Sequence, residues 1–445
     1  MKISYAFFFQ KALQIQSNKR SFSALTTGVA GILSKASSLL VQIITIPLLT
    51  SYLGKEQFGI LLTFISVTLF LGVSDLGLGI NLQNKLPVLE ANQQNDEARD
   101  LISASFLIMS VFCVFIIIIF LGLYYFIDFF DFLKFRKDAT NYTIVPIIVV
   151  CFSLTMPFLL INKAYAAKFK GYINEVFSSI SFILILFLLW CAVNYKWEII
   201  FIALIYQGIP LIMAIISFIY FFALYKELSI NFKNVSKKFF ANTFRESVKY
   251  LLIPFSIMLI NAPDSFFIAK FIGVEEVVTY NIVLRFVYLF TFPVILLVNP
   301  YLYSYNDAFA KNDILWIKKM NKNIILTLSG ICILFFTILF FFGIDIIRLW
   351  VGKATIISHE LLLVAGMYII FTIFNSFFSI IANTSPYLSL FIRILPFSAI
   401  TSLIFKFILL QFYPTIESIF LGTMISMICI FFIPLSIRIK IQLYG

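Results

Sequence analysis

Apolar runs, each broken by a short polar or charged cluster, recur from Gly28 almost to the C-terminus. A hydrocarbon core about 30 Å thick is crossed by roughly 20 apolar residues in a helix. On that measure the pattern predicts twelve spans, near 28–52, 57–82, 101–126, 143–165, 175–194, 197–224, 249–271, 276–303, 323–345, 359–383, 391–412 and 415–437. Only Asn194, Tyr195 and Lys196 separate the fifth and sixth spans, and only Tyr413 and Pro414 the last two, spacings that a tight hairpin satisfies. No connection has room for a soluble domain. The longest outer loop, 127–142, mixes Asp128, Asp131 and Asp138 with Lys134, Arg136 and Lys137, as a solvated connection does. The fold class is therefore all-α, a polytopic membrane protein.

Composition agrees with this reading. Of 445 residues 61% are hydrophobic and 12% charged, against about 25% charged in soluble domains. The distribution of charge adds orientation. Most of the 33 basic residues fall in the termini and the even-numbered loops, which places both termini in the cytoplasm. The net charge of +12 then reflects loops facing anionic lipid and not a nucleic-acid partner. Residues 1–20 carry Lys2, Lys11, Lys19 and Arg20 around Phe7–Phe9 and lack a cleavage site, so they read as a retained amphipathic cytoplasmic tail. Cys113, Cys151, Cys191, Cys332 and Cys429 lie in apolar stretches without metal-site spacing. No cofactor is implied.

The densest basic loop, with Lys226, Lys233, Lys237, Lys238 and Arg245, crosses the middle of the chain. It divides the sequence into an N-terminal half, 1–224, a cytoplasmic linker, 225–248, and a C-terminal half, 249–445. An internal repeat supports two six-helix halves. Thr50–Ile60 joins the first two spans and Lys270–Tyr280 joins the seventh and eighth; placing Gly54 on Gly273 puts Glu56 on Glu275 and Tyr52 on Phe271. Six is even, so the halves run the same way through the membrane about an axis along its normal, with a substrate cavity where they meet. Val278 stands where Gly59 would be, so packing at that turn differs between the repeats.

Tyr52–Gly59, Ser74–Gly79 and Asp264–Tyr280 resemble segments of polysaccharide-lipid flippases in the multidrug/oligosaccharidyl-lipid/polysaccharide exporter (MOP) superfamily, most nearly the Wzx-type O-antigen flippases. The resemblance implies a MATE-like fold of about twelve helices. It also implies residence in a bacterial inner membrane and transfer of an undecaprenyl-diphosphate-linked oligosaccharide from the cytoplasmic to the periplasmic leaflet. A polysaccharide polymerase and a chain-length regulator are the protein partners it suggests, with proton or sodium coupling. O-antigen, capsule and other surface glycans remain open as the cargo.

Charged side chains inside a span cost about 2.5–3.5 kcal/mol at its centre and usually face a cavity or a partner. Lys35 lies in the first span, roughly 10 Å from its cytoplasmic end, and Arg285 in the eighth, roughly 14 Å from its outer end. Together they would supply cations to the diphosphate, Arg285 bidentately and Lys35 as a point charge. Each would alternatively pair with a carboxylate or reach a headgroup. Asp264, in Asn261-Ala-Pro-Asp-Ser265, sits where a proline opens the helical ladder. It either binds a coupling proton or sodium ion or neutralises Arg285 or Lys270. Asp75 occupies the matching hairpin nearer the cytoplasm. Lys270 and Lys406 are near enough to the outer surface to snorkel. Ser34, Ser37, Ser38 and Gln42 form one polar helix face, for helix contact or for sugar.

Other functions fit less well. An enzyme would need a catalytic group that the lone His359 does not supply. A membrane polymerase would be expected to carry a large outer loop. A MATE-type drug or cation antiporter would present acidic groups, whereas the span interiors here lean cationic.

Overall fold

In hydrocarbon every backbone N–H and C=O must be paired within its own segment, so apolar runs of this length become helices. A computed structural model describes residues 2–72, 76–126, 139–168, 170–232, 237–248, 251–298, 301, 305, 308–309, 311–352, 357–382, 384 and 387–444. The helices are α1 (Lys2–Gly72), α2 (Leu78–Ala91), α3 (Asn95–Phe126), α4 (Ala139–Ala167), α5 (Gly171–Asn194), α6 (Ile199–Leu224) and α7 (Lys237–Val248). They continue with α8 (Leu252–Asn261), α9 (Asp264–Phe271), α10 (Val274–Val298), α11 (Ile314–Val351), α12 (His359–Ala382), α13 (Leu388–Phe412), α14 (Ile416–Ser426) and α15 (Ile433–Tyr444). No strand occurs among the described residues.

Ten stretches of the described residues are long and apolar enough to cross a membrane. The first, Val29–Ser66, runs through a turn at Gly54 and so serves the first expected span and the start of the second. A further helix, the 25-residue α10, stands where the eighth span is expected. About twelve spans, all helical, is therefore the architecture. Two boundaries differ from expectation. The second span, expected over 57–82, is interrupted at Leu76 and Gly77, both at positive φ, before α2 starts at Leu78. The ninth, expected over 323–345, is the 38-residue α11, started by Asp313 accepting the Trp316 N–H at 3.0 Å and ended by Gly352 at φ 93°.

The chain divides into two compact units. Unit 1 holds the described residues up to Thr45 and those from Leu71 to Leu251; unit 2 holds Ile46–Phe70 and those from Leu252 onward. Two features depart from a plain split at 225–248. Residues 46–70 group with the second unit, because Gly59 lies against the start of α10: a Cβ on it would meet the Val274 carbonyl oxygen at 2.1 Å. Only glycine permits that approach. The expected linker, meanwhile, is part of unit 1. Leu228 is buried in its core, the Asn231 N–H donates to Ser103 Oγ at 3.0 Å, and on α7 Ser247 Oγ accepts from Asn81 Nδ2 at 3.0 Å. Lys85 and Glu246 form an ion pair across the same contact.

The repeat is visible in the backbone. Gly54 (φ 74°) and Gly273 (φ 152°) both turn the chain at positive φ, where side chains are strained. Val278, the counterpart of Gly59, buries a whole side chain where the first repeat has no room for a Cβ.

Within unit 1, α4 packs on α2, α3, α5 and α6 around a core that includes Tyr165 and Phe221. Tyr165 donates its hydroxyl to the Ser217 carbonyl at 2.9 Å and meets the Phe221 ring edge-on at 5.0 Å. Within unit 2, α13 packs on α8 and α14, and α10 on α12. The final span changes to a π-helix over Met427–Phe432 before α15. Pro434 explains this, since it has no N–H to return to the preceding turn and a wider turn absorbs the mismatch.

Candidate functional site

Unit 1 contains a cavity of about 400 Å3 where α1, α2, α4 and α5 converge beside the 168–170 turn. The turn is held from three directions. Lys168 pairs with Glu90 at the end of α2 (2.5 Å), and the ammonium groups of Lys168 and Lys170 lie 4.5 and 5.4 Å from the Tyr225 ring, just beyond α6. Gly171 opens α5 tightly against α1, where an added Cβ would lie 3.0 Å from the Thr27 methyl.

The polar lining comes from Thr27, Gln83, Asn162, Lys163, Asn174 and Glu175, over a floor that includes Met109 and Met156. Lys163 is exposed, and neither its side chain nor those of Asn162 and Gln83 have a hydrogen-bond or ion-pair partner among the described residues. Asn174 Nδ2 reaches Glu175 Oε1 only at 3.4 Å. A second cavity of about 150 Å3 shares Leu159, Asn162 and Asn174 with the first and continues between α4, α5 and α6, past Ser178, Ser181 and Ser217. Ser217 is 2% exposed, and its hydroxyl has no partner among the described residues.

In unit 2 one buried pair of charges closes at the α8–α9 break. The α8–α9 break falls at Ala262 and Pro263, and Asp264 opens α9 fully inside the unit. Its Oδ1 receives Lys406 Nζ at 2.5 Å and its Oδ2 the Tyr280 hydroxyl at 2.7 Å. Lys406 also donates to the Ile260 carbonyl, at the end of α8 where the ladder stops. Gly422 makes room for this: a Cβ there would lie 2.9 Å from the Lys406 backbone N. Lys406 is 0% exposed, which corrects the expectation that it snorkels. The buried Asp264 carboxylate needs a counter-charge, and Lys406 supplies it with a second acceptor at hand in the Ile260 carbonyl. The carboxylate that Lys406 meets is the one expected to face Arg285 or Lys270.

The remaining expected site residues fall in different units. Lys35 is exposed on α1 in unit 1, and Arg285 is half-buried on α10 in unit 2. Asp75 lies outside the described residues. On the polar face of α1, Ser37 Oγ donates to the Leu33 carbonyl at 2.9 Å and Gln42 Nε2 to Ser38 Oγ at 3.0 Å, bonds internal to the helix. Sequence reasoning passed over Asn162, Lys163, Asn174 and Glu175. Their signal was a pair of polar dipeptides, Asn-Lys and Asn-Glu, either side of one loop. No three His, Cys, Asp or Glu side chains gather into a metal-binding group among the described residues.

The sequence profile described as polysaccharide biosynthesis protein matches residues 27–301, more than half of the chain. The protein belongs to that family. The match takes in the cavity of unit 1 together with Lys35, Asp264 and Arg285, and stops before Lys406. No curated protein matches this member of the polysaccharide biosynthesis family. Solved structures show its fold to be that of MOP transporters. An inward-facing multidrug resistance MATE family transporter of the MOP superfamily aligns with a TM-score of 0.73 at 12% identity, over 92% of this chain and 98% of the other. Lipid II flippase MurJ, in an inward closed conformation, aligns at 0.67 and 16%, over 94% and 87%. A Pyrococcus furiosus MOP superfamily transporter, described as having a binding pocket of reversed polarity, aligns at 0.61 and 13%, over 95% and 96%.

Proposed function

We propose that the protein is a flippase that carries an undecaprenyl-diphosphate-linked oligosaccharide, the repeat unit of O-antigen or a related surface polysaccharide, from the cytoplasmic to the periplasmic leaflet. The observation that carries this reading is the polysaccharide biosynthesis match over 27–301 on a chain with the MOP transporter fold. The membrane is a bacterial inner membrane, with both termini cytoplasmic as the loop charges favour. Transport proceeds by alternating access: the diphosphate-sugar headgroup enters from the cytoplasm and leaves to the periplasm while its polyprenyl tail stays in lipid. No covalent bond changes. Lys35 and Arg285 are the cations this reading assigns to the diphosphate. Asp264 and Asp75 carry structural charge or a coupling ion, and a polymerase and chain-length regulator act on the delivered unit.

Purified protein in liposomes should accelerate transbilayer movement of a fluorescent undecaprenyl-diphosphate glycan; a rate equal to protein-free vesicles sinks the flippase reading. Uptake of a cationic dye by the same liposomes reads the drug-antiporter activity of MATE-type relatives. For the cations, a Lys35→Ala/Arg285→Ala variant is expected to lose surface glycan in a flippase-deficient strain. Full complementation by a well-expressed variant removes them from the substrate path.

A further inference from the structure

We propose that the two joined cavities of unit 1 form a saccharide site, one that takes a sugar residue of the lipid-linked substrate; this rests on the flippase reading. Together they match the 300–1,000 Å3 typical of ligand pockets. Their chemistry selects against a purely anionic ligand. Lys163 and Glu175 offset each other, while Asn162, Asn174 and Gln83 each offer both donors and acceptors. A sugar hydroxyl likewise donates and accepts at one oxygen, so carboxamides suit it better than point charges do.

Two further observations point inward to a ligand. Asn162, Lys163 and Gln83 face the cavity with no partner among the described residues, although each has strong hydrogen-bonding capacity. Deeper in, the second cavity runs on to Ser217, a buried serine whose hydroxyl has no partner among the described residues. The Phe177 and Phe182 side chains that line this compartment offer surface to the C–H face of a pyranose ring. With cytoplasmic termini the α4–α5 turn is cytoplasmic, and the site lies where a headgroup is first loaded.

The test uses full-length protein in lipid nanodiscs. Its ligands are undecaprenyl diphosphate and four derivatives of it, each carrying one glucose, galactose, N-acetylglucosamine or N-acetylgalactosamine. At least one sugar-bearing lipid is expected to bind at least about tenfold more tightly than undecaprenyl diphosphate alone. Asn162→Ala/Asn174→Ala should erase that increment and leave binding of undecaprenyl diphosphate unchanged. Gln83→Ala, at an exposed position, is read beside it and should reduce the same increment if the double variant fails to fold. The proposal is overturned if no sugar adds affinity. An increment that survives in both variants overturns it too, as does equal loss of all five lipids in a variant with the parent's unfolding midpoint, which would make the cavity a diphosphate site. Binding is scored without transport, so sugar binding by a protein that does not flip removes the function and keeps the site. Flipping without a sugar increment does the reverse.

Discussion

Polar groups around the cavity of unit 1 stand at open space, whereas those at the α8–α9 break of unit 2 close on each other. Lys163 has no ion-pair partner among the described residues and looks into a cavity of about 400 Å3. Lys406 is 0% exposed, donates to Asp264 and the Ile260 carbonyl, and sits under Gly422 where α14 comes closest. Both are lysines near the end of an apolar helix, yet their surroundings give them opposite work. A buried charge with all its partners fixes a helix break in place; a charge without them is available to a ligand.

That contrast breaks most visibly at Lys406. Lys406→Met leaves the Asp264 carboxylate buried and unpaired, at an expected cost of about 3–5 kcal/mol, read as a loss of folded yield and a lower unfolding midpoint in detergent. Adding Asp264→Leu should restore most of that loss, because an apolar pair of similar size needs no desolvated charge. A single variant as stable as the parent would mean that the pair does not hold unit 2 closed. Tyr280→Phe removes one of the carboxylate's donors and leaves the ammonium, so about 1.5–3 kcal/mol is expected from the same measurement.

Backbone approach supplies the next pair of tests, and their signs differ. Gly59→Ala drives a Cβ into the Val274 carbonyl and should cost about 1–3 kcal/mol. Gly208→Ala, in the interior of α6 with nothing within 4 Å of the new methyl, should stabilise by about 0.5–1 kcal/mol. Equal shifts for the two would show that helix propensity and not contact governs Gly59.

The smallest stability effects are expected in unit 1. Lys85→Gln breaks a pair whose side chains are 45% and 39% exposed, and should cost less than about 1 kcal/mol. Lys163→Gln should move the unfolding midpoint by no more than about 0.5 kcal/mol in equivalent stability. A large loss at Lys163 would erase the distinction between the two units, because it would make that lysine a structural partner as well.

The sequence by itself determined that the chain lives in a membrane, crosses it about twelve times as helices, and carries a repeat at Gly54 and Gly273. These follow from local causes: segment length against bilayer thickness, and a glycine at each of the two repeat turns, where φ is positive. The break at Asn261–Asp264 was legible for the same reason, since Pro263 cannot continue the ladder. Tertiary structure alone decided the rest. Lys406 lies 142 residues from Asp264, and no local pattern tells a lysine that snorkels from one that pairs. Residues 46–70 join the second unit through the Val274 carbonyl, a backbone contact that side-chain patterning does not record. The cavity of unit 1 gathers Thr27, Gln83, Asn162 and Asn174 from four helices, and helical periodicity gives each residue its face but not the face of the helix opposite.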